Sequence, residues 1–338
     1  MAKILKDKSI YYNDVNLIAQ RCKVKSRSDI PKELNRIIVS PMQSIVGKTF
    51  AHKANELGLS LCLHRFCEIK EEVELFESLP NKENVFVSVG LRDWDRVSAL
   101  ANAGADNWLL DMANGYMVDE INTFIHGMSD FPINKLMLGN IHTAQGFIDL
   151  NSISNFPYPG IKKFIRVGIA GGSPCATNDS TGYNRGPITE IIEIEQCYPW
   201  DASSDEVFLY RKPFIIADGG IKNSGYAAKA FGAGADYVMM GGYFVKALEA
   251  ETHIMGDGHY WGGASHKQQI LQTGTAHRHS EGKEIAILDE LSPLETLVKE
   301  LWGGISSAIS YGGYDTLTNF IGNGVFEIKQ NSLPPRRG

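Results

Sequence analysis

Eight short apolar runs punctuate the chain: Ile37 to Val39, Leu59 to Leu63, Val85 to Val89, Trp108 to Leu110, Leu136 to Leu138, Phe164 to Val167, Phe214 to Ile216 and Tyr237 to Met240. Each is short for a helix and too continuously apolar for a strand with one wet face. Parallel strands buried on both faces have this pattern. A polar residue or a glycine follows nearly every run, as in Ser40-Pro41, His64-Arg65, Gly90, Asp111, Gly139-Asn140, Gly168, Asp218-Gly219-Gly220 and Gly241-Gly242. Helical spacing fills gaps at Phe50 to Leu57, Asp95 to Ala103 and Ala227 to Ala233. The last two lead into Gly104-Ala105-Asp106 and Gly234-Ala235-Asp236, where glycine ends the helix and a strand follows. The alternation predicts an α/β protein with a (β/α)8 barrel, the TIM-barrel architecture. A doubly wound parallel sheet is the alternative, because alternation alone does not separate a closed sheet from an open one.

Two intervals break the rhythm. The stretch between Val167 and Phe214 is the longest between strands and starts glycine-rich, which places an active-site loop there. A second insertion, about residues 250–285, follows the eighth run, is polar and rich in Gly and His, and reads as a flap. About residues 329–338 form a C-terminal tail marked by Pro334-Pro335. Residues 1–338 otherwise read as a single barrel domain, a length that one large domain accommodates.

Composition narrows the function classes. A 43% apolar content supplies a core, and a net charge of −6 argues against coating nucleic acid or a membrane surface. No apolar run is long enough to span a bilayer or serve as a signal peptide, so a cytoplasmic protein is expected. Five cysteines, odd in number and without a CxxC pair, argue against a disulfide framework or structural zinc and suit a reducing compartment. The nine histidines show no metal-ligand spacing such as HExxH.

The segment Val167-Gly168-Ile169-Ala170-Gly171-Gly172-Ser173-Pro174-Cys175-Ala176-Thr177 is where chemistry concentrates. Its glycines allow tight turns and close approach of backbone to ligand. An ordinary cysteine thiol is mostly protonated near neutrality, so a nucleophilic Cys175 calls for converging backbone N–H groups or a neighbouring base. The plain alternative is a small buried cysteine in a loop.

This loop resembles the cysteine loop of the IMP dehydrogenase/GMP reductase family. The likeness extends to Tyr12-Asn13-Asp14-Val15, Lys25-Ser26-Arg27-Ser28-Asp29, Ser40-Pro41-Met42, Asp111-Met112-Ala113-Asn114-Gly115-Tyr116, Asp218-Gly219-Gly220, Ala228 to Gly242, Ser280-Glu281-Gly282-Lys283, Gly303-Gly304-Ile305 and Tyr311-Gly312-Gly313. Only residues 67–84 separate Phe66 from Val85, too few for the CBS modules that dehydrogenases commonly carry there. The flap lacks the Arg-Tyr pair that activates water in dehydrogenases. With Asn114-Gly115-Tyr116, Ser280 to Lys283 and Lys25 to Asp29, this favours the reductase branch.

The resemblance implies NADPH-dependent conversion of GMP, or a related guanine nucleotide, to IMP and ammonia. Cys175 is then the nucleophile, with Thr177 and Glu281 as the proton-transfer pair. Asp218 would hold the ribose hydroxyls, while Ser173, Gly219, Gly220, Gly241 and Gly242 receive the phosphate. Gly262 and Gly263 fall at the purine edge, and Arg278 of the flap at the substrate. Arg65, Asp111, Asn114 and Gly115 fall at the nicotinamide end of the cofactor. Backbone carbonyls of Ala170, Gly172 and Cys175 correspond to a monovalent-cation site, making K+ a further expectation. Relatives are commonly tetramers, so a homo-oligomer is implied.

Departures from the family pattern are concentrated near the substrate. Ala170-Gly171-Gly172-Ser173 replaces the usual Gly-Pro-Gly-Ser, and Arg65 stands where lysine is usual, keeping charge but not a readily titrated proton. Trp261-Gly262-Gly263-Ala264-Ser265 replaces the Gly-Met-Ser that reads the purine, and His277 replaces a tyrosine. A roomier, less polar base edge follows, with a modified or deoxy guanine nucleotide as the corresponding substrate. Two rivals stand beside the reductase: an IMP dehydrogenase using NAD, and a catalytically silent purine-nucleotide-binding protein.

Overall fold

The computed structural model describes residues 9–112, 114–153, 160–197, 212–275, 279–287 and 290–329. A short strand β1 (Val15–Leu17) precedes β2 (Ile37–Val39), after which strands and helices alternate: α1 (Lys48–Glu56), β3 (Ser60–Leu63), α2 (Ile69–Ser78), β4 (Val85–Val89), α3 (Trp94–Asn102), β5 (Asn107–Leu110), α4 (Val118–Gly127), β6 (Lys135–Ile141) and α5 (Ala144–Ser152). The order continues with β7 (Lys162–Val167), α6 (Thr177–Thr181), α7 (Pro187–Cys197), β8 (Phe214–Asp218), α8 (Ser224–Ala233) and β9 (Tyr237–Met240). Strands β2 to β9 are all parallel and close into a barrel, with β2 pairing to both β3 and β9. Closure removes the sheet edges and decides between the two architectures left open by alternation. Each of the eight apolar runs supplies one strand of the barrel.

Local sequence explains the helices. In α1, Phe50, Ala51, Ala54 and Asn55 are buried, one stripe at helical spacing. The repeated Gly-Ala-Asp works as expected: Gly104 and Gly234 take φ of +91° and +121° after α3 and α8, and Ala105 and Ala235 are fully buried. Asp236 then accepts a hydrogen bond from the Ile215 N–H at 2.8 Å, tying β9 to β8.

After β9 come α9 (Glu251–Ile254), β10 (His259–Trp261), α10 (His266–Thr273) and β11 (Glu284–Ala286). Strands β10 and β11 pair antiparallel, giving the predicted flap a hairpin stem. The chain ends in α11 (Leu294–Tyr311), α12 (Leu317–Phe320) and β12 (Phe326–Ile328). Strand β12 pairs antiparallel with β1, a ladder of two three-residue strands that the sequence pattern does not announce. Residues 330–338 of the expected tail lie outside the described residues. No described helix is long and apolar enough to cross a membrane.

Inside the barrel, Ile38, Cys62, Phe86, Leu109, Met137, Phe164, Ile216 and Met239 form an apolar cluster with one residue from each strand. Side chains alternate along a strand, so the next inward position lies two residues on. Those positions are Ser40, His64, Ser88, Asp111, Gly139, Arg166, Asp218 and Gly241. All are polar or glycine, and they lie at the C-terminal end of the strands, where such barrels carry their chemistry.

Candidate active site

The cysteine loop leaves β7 through Gly168, whose φ is +129°. A Cβ there would fall 2.2 Å from the Asp218 carbonyl, so only glycine lets the loop pass over the end of β8. At the far end of the loop, the Cys175 N–H donates to the Gly172 carbonyl at 3.0 Å, turning the chain back. The Cys175 thiol donates to Thr177 Oγ1 at 3.2 Å, and that hydroxyl donates to Glu281 Oε2 at 2.9 Å. Thiol, hydroxyl and carboxylate thus form one hydrogen-bonded line.

Glu281 reaches this line because the flap is stitched to the cysteine loop. The Ala176 N–H donates to the Glu281 carbonyl and the Lys283 N–H donates to the Pro174 carbonyl, both at 2.6 Å. Cys175 and Gly282 form an antiparallel bridge between them. Lys283 Nζ adds an ion pair with Asp179 at 2.6 Å.

Beside this line stands a network of charges around Arg166, whose side chain is only 5% exposed. Its Nη1 lies 3.7 Å from Asp111 Oδ1 and 3.9 Å from Asp218 Oδ2. Its Nη2 donates to the carbonyls of Leu110 and Gly139 at 3.2 and 3.3 Å. Arg65 Nε approaches the other oxygen of Asp111 at 3.4 Å. Asn140 Nδ2 donates to Asp218 Oδ2 and to the Gly168 carbonyl, each at 2.8 Å. Burial raises the Asp218 pKa above the usual carboxylate value, while Arg166 and Asn140 oppose that rise.

These elements surround a cavity of about 570 Å³. Of the residues read from the sequence, Ala170, Gly172, Ser173, Cys175, Thr177, Asp218, Gly219, Gly220, Gly241, Gly242, Gly262, Gly263 and Glu281 line it. Arg65, Asp111, Asn114 and Gly115 do not; Asp111 adjoins Met112, which does. The Gly115 N–H donates to the Asn140 carbonyl at 3.1 Å, and Asn114 Oδ1 accepts from the Tyr116 N–H at 3.0 Å. The Asn114 carbonyl oxygen thus serves its own loop. Arg278 and His277 lie outside the described residues.

Other lining residues, among them Met42, Asn140, Lys222, Lys246 and Tyr260, were given no site role from the sequence. Arg166 was also missed, although an arginine within an apolar run is itself a signal. At the purine edge, Gly262, Gly263 and Ala264 line the cavity, but Trp261 and Ser265 do not. Trp261 is buried and donates its Nε1 to Gln268 Oε1 at 3.0 Å. Ser265 is 1% exposed and caps α10, its Oγ accepting from the Gln268 N–H at 3.1 Å.

Comparison with known proteins identifies the family. The family model described as IMP dehydrogenase / GMP reductase domain matches residues 6–332. A GMP reductase of Streptococcus gordonii is 29% identical over 319 residues, covering 89% of this chain and 90% of its own. A GMP reductase of Streptococcus equi subsp. equi is 27% identical over 317 residues, with the same coverage of 89% and 90%. That of Streptococcus agalactiae serotype III is 29% identical over 318 residues, again covering 89% and 90%.

Proposed function

The chain belongs to the IMP dehydrogenase/GMP reductase family, and from that premise we propose that it is a GMP reductase, converting a guanine nucleotide to the hypoxanthine nucleotide and ammonia with NADPH. The observation that carries this reading is the hydrogen-bonded line from Cys175 through Thr177 to Glu281 at the cavity wall. Displacing an amino group from a purine is hard in one step, and a covalent intermediate divides the task.

Cys175 Sγ bonds to carbon 2 of the base, its proton passing along Thr177 toward Glu281. The same pair returns a proton to the departing nitrogen as the carbon–nitrogen bond breaks and ammonia leaves. The nicotinamide, when bound, supplies a hydride to that carbon. The carbon–sulfur bond then breaks, its electron pair leaving with Cys175 as the thiolate, and a proton taken up from solvent restores the thiol. Asp218 accepts from the ribose hydroxyls. Ser173 and Tyr260 offer hydroxyls to the phosphate, and the N–H groups around Gly219-Gly220 and Gly241-Gly242 complete its cradle.

The cofactor end fits a nicotinamide carboxamide. Arg65 Nε is buried with no hydrogen-bond partner, although its ion pair with Asp111 is 3.4 Å long. A donor and an acceptor therefore stand side by side there, with Asn114-Gly115 on the adjoining loop. The reading extends to a homotetramer in the cytoplasm, and to K+ at the carbonyls of the cysteine loop. Its substrate is a guanine nucleotide whose base edge meets the backbone of Gly262 to Ala264 in place of polar side chains. The ratio of kcat/KM for GMP to that for dGMP measures how far the substrate departs from GMP.

The test is the loss of NADPH absorbance with GMP, in the wild type and in Cys175→Ala. Turnover requires GMP and falls about a thousandfold or more in the variant. Reduction of NAD by IMP instead would make the protein a dehydrogenase. Tight nucleotide binding without turnover in either direction would make it a binding protein.

A further inference from the structure

The flap contains a charge cluster that the proposed chemistry does not use. Lys267 stands in the first turn of α10, and its Nζ donates to Asp257 Oδ2 at 2.5 Å and to Glu284 Oε1 at 2.8 Å. His259 Nδ1 lies 3.2 Å from Asp257 Oδ1 and 4.0 Å from Glu284 Oε1. Asp257, His259 and Glu284 bring their ligand atoms within 4.8 Å of one another, spacing that could hold a metal ion. The lysine ammonium already joins both carboxylates, so the cluster carries its own cation. Lys267 also lies over the Trp261 ring, 4.1 Å from its centroid. A cation in the first turn of a helix is disfavoured by the helix dipole. Two carboxylates from outside the helix offset that cost here.

We propose that Lys267 is a positioning residue for the Thr177–Glu281 relay, an inference that rests on the function proposed above. Three connections support it. Asp257 precedes β10 and Glu284 begins β11, so the ammonium clamps the hairpin at its Trp261–Glu284 register pair. Ser265, which caps the helix carrying Lys267, bridges to Gly282, and Gly282 bridges to Cys175. Glu281 lies three residues from Glu284 and reaches Thr177 through one hydrogen bond of 2.9 Å. Backbone bonds tie Glu281 and Lys283 to the cysteine loop, but the Glu281 side chain also depends on the register of the three-residue β10–β11 ladder. Misplacement of a catalytic group by about 1 Å can cost about a hundredfold in rate. Clamping β11 keeps the Glu281 carboxylate on the Thr177 hydroxyl.

The test compares Lys267→Met, Lys267→Arg, Glu281→Gln and the Lys267→Met/Glu281→Gln double variant, each checked by thermal melt. Lys267→Gln substitutes for Lys267→Met if the latter does not fold. Two quantities are measured: steady-state kcat and KM, and the rate at which iodoacetamide alkylates Cys175, assigned by peptide mass. Lys267→Met is expected to lower kcat about tenfold with little change in nucleotide KM, and Lys267→Arg to recover most of it. The double variant should be no slower than Glu281→Gln, because the lysine acts through the glutamate. Glu281→Gln and Lys267→Met should change the alkylation rate in the same direction, since each removes the carboxylate from Thr177. Losses that add in the double variant, or a Lys267→Met enzyme equal to wild type, would overturn the proposal. Alkylation separates the two readings when turnover is absent. A rate that Glu281→Gln changes and Lys267→Met does not overturns the clamp alone. A rate that neither changes overturns the clamp together with the relay.

Discussion

The apolar layer inside the barrel and the layer directly above it are built by the same eight strands, yet their residues are held in place by different forces. In the lower layer, Phe164 packs against Phe86, Phe214 and Tyr237 with ring centroids 5.0 to 5.5 Å apart. Cys62 belongs to this layer, and burial pushes its thiol pKa well up, leaving a small inert hydrophobe. In the upper layer, Arg166 lies between Asp111 and Asp218, and Asn140 reaches in from the neighbouring strand. Packing contacts are numerous and individually weak, so the lower layer can lose one and keep its plan. Buried charges balance only as a set, so the upper layer cannot lose one partner without exposing the rest to an uncompensated field. A single barrel thus combines a permissive foundation with an intolerant working surface, two residues apart.

One pair of substitutions would break that contrast if it is wrong. Phe164→Ala removes a ring from the lower layer and is expected to cost about 3–5 kcal/mol of stability. Its nucleotide KM should stay near wild type at temperatures where the fold persists. Arg166→Met should cost a similar amount, about 3–5 kcal/mol, by leaving two carboxylates without their shared cation. It should also abolish nucleotide turnover. Adding Asp218→Asn to Arg166→Met should recover part of the stability and none of the activity. Urea midpoints and kcat/KM on the same four proteins decide the matter. A Phe164→Ala variant with an altered KM, or an Arg166→Met variant with intact turnover, would remove the distinction.

A smaller effect sharpens the comparison through pH. His64 occupies the upper layer, and burial lowers its pKa from 6.5 to about 4. The neutral ring accepts the Phe66 N–H at Nδ1, 3.2 Å away. Because the folded value lies below the unfolded one, the unfolded chain takes up a proton in this window that the native state does not. Stability is therefore present above the unfolded value and lost as pH falls through the interval. The full loss is about 3 kcal/mol. His64→Asn should flatten this part of the dependence, seen as the difference between wild-type and variant urea midpoints from neutrality down to about pH 4.

Much of this arrangement was legible because burial writes itself into sequence. Strands wet on neither face appear as apolar runs, and a polar residue ending such a run marks the rim, which is how Asp111 and Asp218 stood out. The Cys175, Thr177 and Glu281 set was legible only through family resemblance, since Thr177 and Glu281 are 104 positions apart. No local pattern says that the flap pairs with the cysteine loop. Asn140 escaped for the same reason, meeting Asp218 across 78 positions. Arg65 was read as a cofactor residue, and its pairing with Asp111 was not foreseen. Helix capping supplies a further case, because a serine near a ligand and a serine at a helix start look alike in sequence.

Ser265 makes that last case measurable. It occupies the sequence position of a purine-reading segment, yet its hydroxyl accepts from the Gln268 N–H and the residue is 1% exposed. The capping hydroxyl is not among the residues that line the cavity, so it is not placed to read a base. Ser265→Ala should therefore cost about 1 kcal/mol through the lost cap. It should leave nucleotide affinity within twofold of wild type, a range that corresponds to about 0.4 kcal/mol. A tenfold loss of affinity at near-normal stability would mean that the serine turns inward once nucleotide binds. The base edge would then regain a polar side chain, and the preference between GMP and its relatives would have to be reread from that hydroxyl.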